Sequence, residues 1–291
     1  SGLKIVLGGS LVTSWATLGV EENKFSGLVD EMIAGAGEEK LLELLGGENK
    51  KRNCAPDYDD FPAQLYLAPG FILPYSAARG CYWRQCAFCP EKTEETPYQP
   101  LPVAQVNQEL TQLIKKYRPV LVHFLDNALS PSMLKNLAQH PPGVPWYGFA
   151  RISGELADED FCIALKKSGC VMLKMGIESG DQEVLDKLNK GINLADASAA
   201  LKSLKKAGIA AYVYLLFGTP AENETSVQKT LDFIVRHNDC IDFLNLAIFN
   251  LPIASAETQN LETDRFYEGD LSLYSSFRHP AGWDRQAARN F

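Results

Sequence analysis

The nine residues Cys81-Tyr82-Trp83-Arg84-Gln85-Cys86-Ala87-Phe88-Cys89 hold three of the chain's seven cysteines. Thiolates gathered this closely can hold a soft metal centre and leave one coordination position open. On an iron–sulfur cluster, an open iron is where a substrate or cofactor binds and is reduced. A three-cysteine zinc site completed by a fourth ligand from elsewhere answers to the same residues. Three unrelated thiols would also, but cysteines serving only as small hydrophobes have no reason to cluster.

The elements that must position this loop form a repeating pattern. From Phe71 to about Asn250 strand and helix alternate six times, with strands near Ile72–Ser76, Val120–Leu125, Trp146–Arg151, Val171–Ile177, Ile209–Phe217 and Phe243–Phe249. The helices carry local signals. Ser130-Pro131 offers a cap and a first-turn proline before Met133, Leu134 and Leu137. Asp158 caps a helix burying Phe161 and Leu165 and ending at Gly169, and Val184, Leu185 and Leu188 form a stripe ending at Gly191. Gly208 ends another helix, and Val227, Leu231, Ile234 and Val235 line the last. Short, near-continuous apolar strands between such helices specify a parallel sheet covered by helices. Six units make a partial barrel or a doubly wound sheet, and in either the chemistry gathers at the carboxyl ends of the strands.

The cysteine loop follows the first strand, and the later strands end in functional groups. These are Asp126-Asn127, Arg151, Glu178-Ser179, Gly218-Thr219-Pro220 and Asn250, expected to converge on the cluster along one rim. Each has a plainer reading: a turn cap for Asp126 or Asn127, a structural ion pair for Arg151, a helix cap for Ser179. Strand alternation puts Lys174 on the face of Gly176 and Glu178, so it is expected inside the barrel, holding Glu178 by a salt bridge or serving the substrate as acid or base. His123 reads as a core histidine and Cys162 and Cys170 as core, while Cys54 and Cys240 carry no pattern. Tyr212 and Tyr214 share a strand face, with core packing as the default and cavity lining as the alternative.

The flanks are less regular. Residues 1–50 read as β-turn-α pieces: Lys4-Ile5-Val6-Leu7 before Gly8-Gly9, a strand over Val29–Ile33, then a helix through Leu41, Leu42, Leu44 and Leu45 stopped by Gly46-Gly47. Two strands do not make a stable domain, so this zone is expected to lean on the rest or to be the tail of a larger domain. The start at Ser1-Gly2-Leu3, without Met, agrees with a processed or partial chain. Residues 51–70 form a polar linker, 71–250 the barrel, and 251–291, rich in aromatics, an ordered extension packed on it.

At 291 residues and 46% hydrophobic, the chain can bury a full core. Its net charge of −8, without a run of five or six like charges, argues against a nucleic-acid partner. No membrane span or signal peptide is visible. An odd number of cysteines without a disulfide pattern points to a reducing cytoplasm.

Taken in order, three motifs resemble those of the radical S-adenosylmethionine superfamily over residues 71–250. They are Arg79-Gly80-Cys81 leading into Cys86-Ala87-Phe88-Cys89, Gly176-Ile177-Glu178-Ser179-Gly180, and Gly218-Thr219-Pro220-Ala221-Glu222-Asn223-Glu224-Thr225. The resemblance implies an α/β fold, a partial (β/α)6 TIM-like barrel. It also implies that Cys81, Cys86 and Cys89 each ligate one iron of a [4Fe–4S] cluster whose fourth iron binds S-adenosylmethionine. By the same likeness the backbone at Phe88 contacts adenine, Glu178 and Ser179 reach the ribose, and Asp126 and Asn127 hold the methionyl amino group. Arg151 pairs with the methionyl carboxylate, and Leu216 and Gly218 border the adenine. Reductive cleavage would then give methionine and a 5′-deoxyadenosyl radical that abstracts hydrogen from a substrate the motifs do not name, with a flavodoxin or ferredoxin as the kind of electron donor implied. One departure stands out: four residues, Tyr82–Gln85, separate the first two cysteines where the commonest spacing has three.

The first zone resembles the end of the Rossmann-like cobalamin-binding domain that precedes many such barrels, and the same subfamily shows an end comparable to Gly269-Asp270-Leu271-Ser272-Leu273-Tyr274 and His279-Pro280-Ala281-Gly282-Trp283-Asp284. The Asp-x-His-x-x-Gly signature that supplies cobalamin's lower ligand is absent, so this chain alone is not expected to bind cobalamin through histidine. Within this subfamily, methyl transfer and cobalamin-independent chemistry both stay open. The alternatives are a methylthiotransferase-like enzyme, for which neither an RNA-binding appendage nor a second cysteine triad is recognisable, and a non-catalytic iron–sulfur sensor or assembly protein, which would need no adenine or ribose contacts. A zinc-binding structural protein is the last.

Overall fold

The computed structural model describes residues 2–20, 25–47, 55–62, 65–94, 96–267 and 271–291. A small first lobe pairs β1 (Val6–Gly8) in parallel with β2 (Glu31–Ile33) and adds helices α1 (Ser10–Thr17) and α2 (Glu38–Leu44). Helix α1, not anticipated from the sequence, buries Val12 and Trp15. The lobe leaves Leu3, Ile5, Leu28 and Leu45 exposed. It meets the rest through an ion pair between Glu38 and Arg79.

The main body begins with β3 (Ile72–Tyr75), and a short antiparallel pair, β4 (Ala78–Arg79) with β5 (Gln99–Pro100), brackets the cysteine loop and α3 (Pro90–Thr93). Then follow α4 (Val103–Tyr117), β6 (Leu121–Leu129), α5 (Pro131–Gln139), β7 (Trp146–Ala150), α6 (Gly154–Ala157) and α7 (Glu159–Lys167). The second half runs β8 (Cys170–Glu178), α8 (Gln182–Lys187), α9 (Leu194–Ala207), β9 (Ala210–Phe217), α10 (Glu224–Arg236) and β10 (Phe243–Ile248). Six strands lie in the order β10-β9-β8-β7-β6-β3, every pair parallel. This is the sheet of a partial TIM-like barrel.

Local chemistry fixes the helix starts. The Ser130 hydroxyl accepts from the Met133 amide at 3.2 Å, with Pro131 in the first turn, and Asp158 accepts from the Asp160 and Phe161 amides. Asn223 and Ser226 satisfy each other's amides in a capping box. Along the strands the side chains divide by face. Leu73, Val122, Phe124, Trp146, Leu173, Met175, Ala211 and Val213 are almost fully buried in the core that includes Val106, Leu110, Leu134, Leu165 and Leu201 of the helices. The opposite, inner face is only half-buried at Pro74, His123, Tyr147, Phe149, Lys174, Tyr212 and Tyr214. The oily core thus lies between sheet and helices, and the inner face stays open.

Strand β6 runs on to Leu129, so Asp126 and Asn127 lie within it and not at its end. The cause is a register break: pairing with β7 is regular to Phe124 and resumes only at Leu129 opposite Ala150.

After β10 the chain makes a three-stranded antiparallel sheet from β11 (Leu251–Pro252), β12 (Thr263–Arg265) and β13 (Tyr274–Phe277), then helix α11 (Arg285–Asn290). His279 ties it to the barrel: its Nε2–H donates to the Thr219 carbonyl at 2.7 Å, while Nδ1 accepts from the Ala281 and Trp283 amides. Gly269, Asp270 and Cys54 lie outside the described residues.

Candidate active site

The cysteine loop leaves β4 and crosses toward the loop after α8. The fourth residue between Cys81 and Cys86 is accommodated by Arg84, whose φ of 49° is left-handed, and by Trp83. The Trp83 indole N–H donates to the Asn189 carbonyl at 3.1 Å. Its ring packs against Gly191, where a Cβ would fall 2.0 Å from Cζ2, so only glycine fits. The Arg151 guanidinium stacks on the same ring at 4.3 Å. A second anchor joins the Ala87 amide to the Leu188 carbonyl at 2.9 Å.

Arg151 reaches the cysteine loop. One Nη lies 3.9 Å from the Cys86 Sγ, and the other donates to the Lys190 and Gly191 carbonyls. Burial pushes the Cys86 and Cys89 thiols up. At Cys86 the Lys190 and Arg151 charges act in the opposite sense, while Glu178 and Cys81 add to the rise. Cys89 is raised further by Cys86 and Cys81. The three thiols therefore sit within one another's field, all free, with two cations at hand to offset thiolate charge. This donor set fits an iron–sulfur cluster held by Cys81, Cys86 and Cys89. Among the described residues no three Cys, His, Asp or Glu side chains converge closely enough for a single ion. A cube of irons takes one thiolate per iron and does not need that convergence.

At the end of β8, Glu178 turns into the left-handed region with φ 66°, where the pairing with β9 slips. Its carboxylate is paired with Lys190 at 2.6 Å, both side chains about nine-tenths buried. The Lys190 ammonium also lies 5.5 Å from the Phe88 ring centre. Gly176 makes room: a Cβ there would stand 2.1 Å from Glu178 Oε1 and 2.8 Å from Lys190 Nζ. Lys174, expected to hold Glu178, does not do so. Four residues before Glu178 along β8, its ammonium sits over the Tyr147 and Phe149 rings. Lys190 takes that role from the loop after α8, which no local signal indicates.

The other rim residues divide. Asp126 is buried beside a cavity of about 300 Å³ lined by Ala77, Tyr98, Leu101 and Met133, and accepts from the Ala77 amide at 3.0 Å. Burial raises its carboxyl, against the pull of the Ala77 and Ala78 amides. It thus braces the root of the cysteine loop, while Asn127 is exposed on the other side of the strand. Ser179 is fully buried and faces α10: Thr230 spends its proton on the Ser226 carbonyl, so Ser179 donates to Thr230 and accepts from the Asp181 amide. Leu216 is half-buried, and Gly218 has a left-handed φ of 76° at the turn after β9. Asn250 accepts from Arg285 of α11 and is taken up by the C-terminal segment.

Two further expectations change. His123 is not a core residue but lies half-buried on the inner face, its ring stacked on Tyr147 at 4.3 Å. Tyr212 and Tyr214 line that face and do not pack in the core. Cys162, Cys170 and Cys240 are buried.

Comparison with known proteins agrees with the fold and the motif. The family model described as the radical SAM superfamily matches residues 75–234. An uncharacterized methyltransferase of Pyrococcus horikoshii is 27% identical over 239 residues, covering 74% of this chain and 51% of that protein. The bacteriochlorophyllide d C-12(1)-methyltransferase of Chlorobaculum tepidum is 26% identical over 221 residues, 72% of this chain and 46% of that protein. Among solved structures, the cobalamin-dependent S-adenosylmethionine radical enzyme OxsB, with aqua-cobalamin and S-adenosylmethionine bound, aligns with a TM-score of 0.67 at 13% identity over 98% of this chain and 52% of that one. The chain spans about half the length of these relatives. It belongs to the radical SAM superfamily.

Proposed function

We propose that this chain is the S-adenosylmethionine-cleaving core of a radical enzyme, with methyl transfer the reaction its relatives favour. The observation that carries this is the docking of the three-cysteine loop, with its Phe88, beside Arg151 and the buried Glu178–Lys190 pair. Cys81, Cys86 and Cys89 would hold a [4Fe–4S] cluster, which when bound and reduced supplies the electron for cleaving the sulfonium. Arg151 has five N–H donors and spends only part of them on Cys86, Lys190 and Gly191, leaving others for the methionyl carboxylate. Asn127, on the open side of β6, is suited to the methionyl amino group, with Asp126 positioning the loop. Glu178 would accept from the ribose hydroxyls, with Ser179 fixing the turn that follows. Phe88, Leu216 and Gly218 would border the adenine.

The two-stranded first lobe agrees with part of a cobalamin-type Rossmann domain. Without the histidine signature, residues 1–50 are assigned no lower ligand for cobalamin. The proposed division is this lobe, a linker to residue 70, the barrel to 250 and the extension beyond. No helix among the described residues is long and apolar enough to cross a membrane. Free thiols suit a reducing cytoplasm, and the reductant would be a small carrier such as flavodoxin or ferredoxin.

The test is electron paramagnetic resonance of the anaerobically reconstituted, reduced protein. S-adenosylmethionine is expected to shift the cluster signal, and Arg151→Met to weaken that response. A cluster signal indifferent to S-adenosylmethionine would contradict the proposal.

A further inference from the structure

The inner face of the sheet carries an aromatic wall that the cluster chemistry does not use. In β6 and β7, His123 is the register partner of Tyr147, and their rings lie 4.3 Å apart at 8°. One step toward the carboxyl ends, Phe149, Lys174, Tyr212 and Phe243 stand side by side on β7, β8, β9 and β10. The next level holds Gly176 beside Tyr214. Ring contacts run between strands, Phe149 to Tyr214 at 5.0 Å and Tyr212 to Phe243 at 5.6 Å.

Two features distinguish this wall from a core. Its rings are half-exposed while the opposite face of the same strands is dry, so their faces remain available. Lys174 is the wall's one ammonium. It lies 5.0 Å and 5.1 Å from the ring centres of Tyr147 and Phe149, and no carboxylate among the described residues lies within ion-pair distance of it. A partly desolvated cation over aromatic faces lacks the counter-ion such a position calls for. Burial lowers its pKa in keeping with that lack. The space beside Gly176 is taken by the Glu178–Lys190 pair, which bounds the wall on the side of the strand ends.

We propose that this inner wall is the substrate subsite, and that it takes a planar, π-rich molecule whose ring lies on the Tyr147, Phe149 and Tyr212 faces and whose carboxylate pairs with Lys174. The assignment rests on the S-adenosylmethionine site proposed above, since Lys174 and Glu178 lie on the same strand, β8, four residues apart. Aliphatic and sugar substrates would leave the ring faces uncovered, and a cationic one would meet Lys174.

The probe is 2-naphthoate, titrated against the full chain by saturation-transfer NMR, with 2-naphthamide and cyclohexanecarboxylate for comparison. Naphthoate is expected to bind about tenfold more tightly than either, the worth of one charged pair or one ring face. Lys174→Met should bring naphthoate down to the naphthamide affinity, Lys174→Arg should restore it, and Tyr147→Leu should weaken both aromatic probes. Circular dichroism melts of each variant separate lost binding from lost folding. Failure of naphthoate to bind at millimolar concentration, equal binding of cyclohexanecarboxylate, or naphthoate binding unchanged in folded Lys174→Met would overturn the proposal. The titration contains neither S-adenosylmethionine nor reductant, so its failure is independent of whether the cluster site works.

Discussion

Replacing Lys190 with Met should destabilise the protein far more than its single charge suggests. Glu178 Oε1 and Lys190 Nζ are 2.6 Å apart with side chains 11% and 9% exposed. Water cannot take over the carboxylate when the ammonium goes. Removing one partner of such a pair costs about 3–5 kcal/mol, although the intact pair adds little net stability over apolar residues. The structure supplies its own control. Lys206 and Glu159 are 2.7 Å apart, nearly the same distance, but 63% and 46% exposed, and Lys206→Met should cost less than about 1 kcal/mol. For a chain of this size, the buried change corresponds to a fall in melting temperature of roughly 5–8 °C, and the exposed one to less than about 2 °C. Thermal and urea unfolding of the cluster-free protein would measure both. Adding Glu178→Gln to Lys190→Met should recover about 2 kcal/mol, because the unpaired charge is then gone. Equal costs for Lys190→Met and Lys206→Met, or strictly additive effects of Glu178→Gln and Lys190→Met, would refute the reasoning.

Other outcomes follow from the same geometry. Burial raises the Glu222 carboxyl to about 7 from 4.5, so the folded state holds a proton that the unfolded state releases. Its contribution is therefore present below pH 4.5 and lost as pH rises to about 7. The loss amounts to about 2–4 kcal/mol at the upper end, and Glu222→Gln should flatten that part of the pH–stability profile. Gly191→Val drives a side chain into Trp83, and should lower the iron taken up on reconstitution while the far-ultraviolet dichroism stays native. Ser179→Ala leaves the Asp181 amide without its acceptor and removes one of the two donors to the Thr230 hydroxyl, and should cost about 1–3 kcal/mol in urea unfolding.

Much of the barrel was legible because its signals are local. Six apolar runs, the Ser130 and Asp158 caps and the glycine stops each follow from a few neighbouring residues, and the observed strands agree with them to within a few residues. The cysteine spacing was equally direct. The unread parts depend on residues brought together by the fold. Lys190 lies 12 residues from Glu178 and meets it only because α8 returns the chain to the rim. Trp83 meets Asn189 across more than a hundred residues. The direction of Asp126 was hidden because near-continuous apolar strands show no alternation that tells the inner face from the outer. For the same reason His123, Tyr212 and Tyr214 passed for core, and Lys174 was given the partner that Lys190 has. The extra residue in the cysteine loop was visible, but its Trp83 anchor was not.

The most direct measurement is formation of 5′-deoxyadenosine by the anaerobically purified chain, reconstituted with iron and sulfide and given dithionite and S-adenosylmethionine. The parent should form it, and the Cys81/Cys86/Cys89→Ala triple variant should not. An assembled four-iron cluster that yields no 5′-deoxyadenosine, or product from the triple variant equal to that of the parent, would contradict the assignment of this chain as the S-adenosylmethionine-cleaving core.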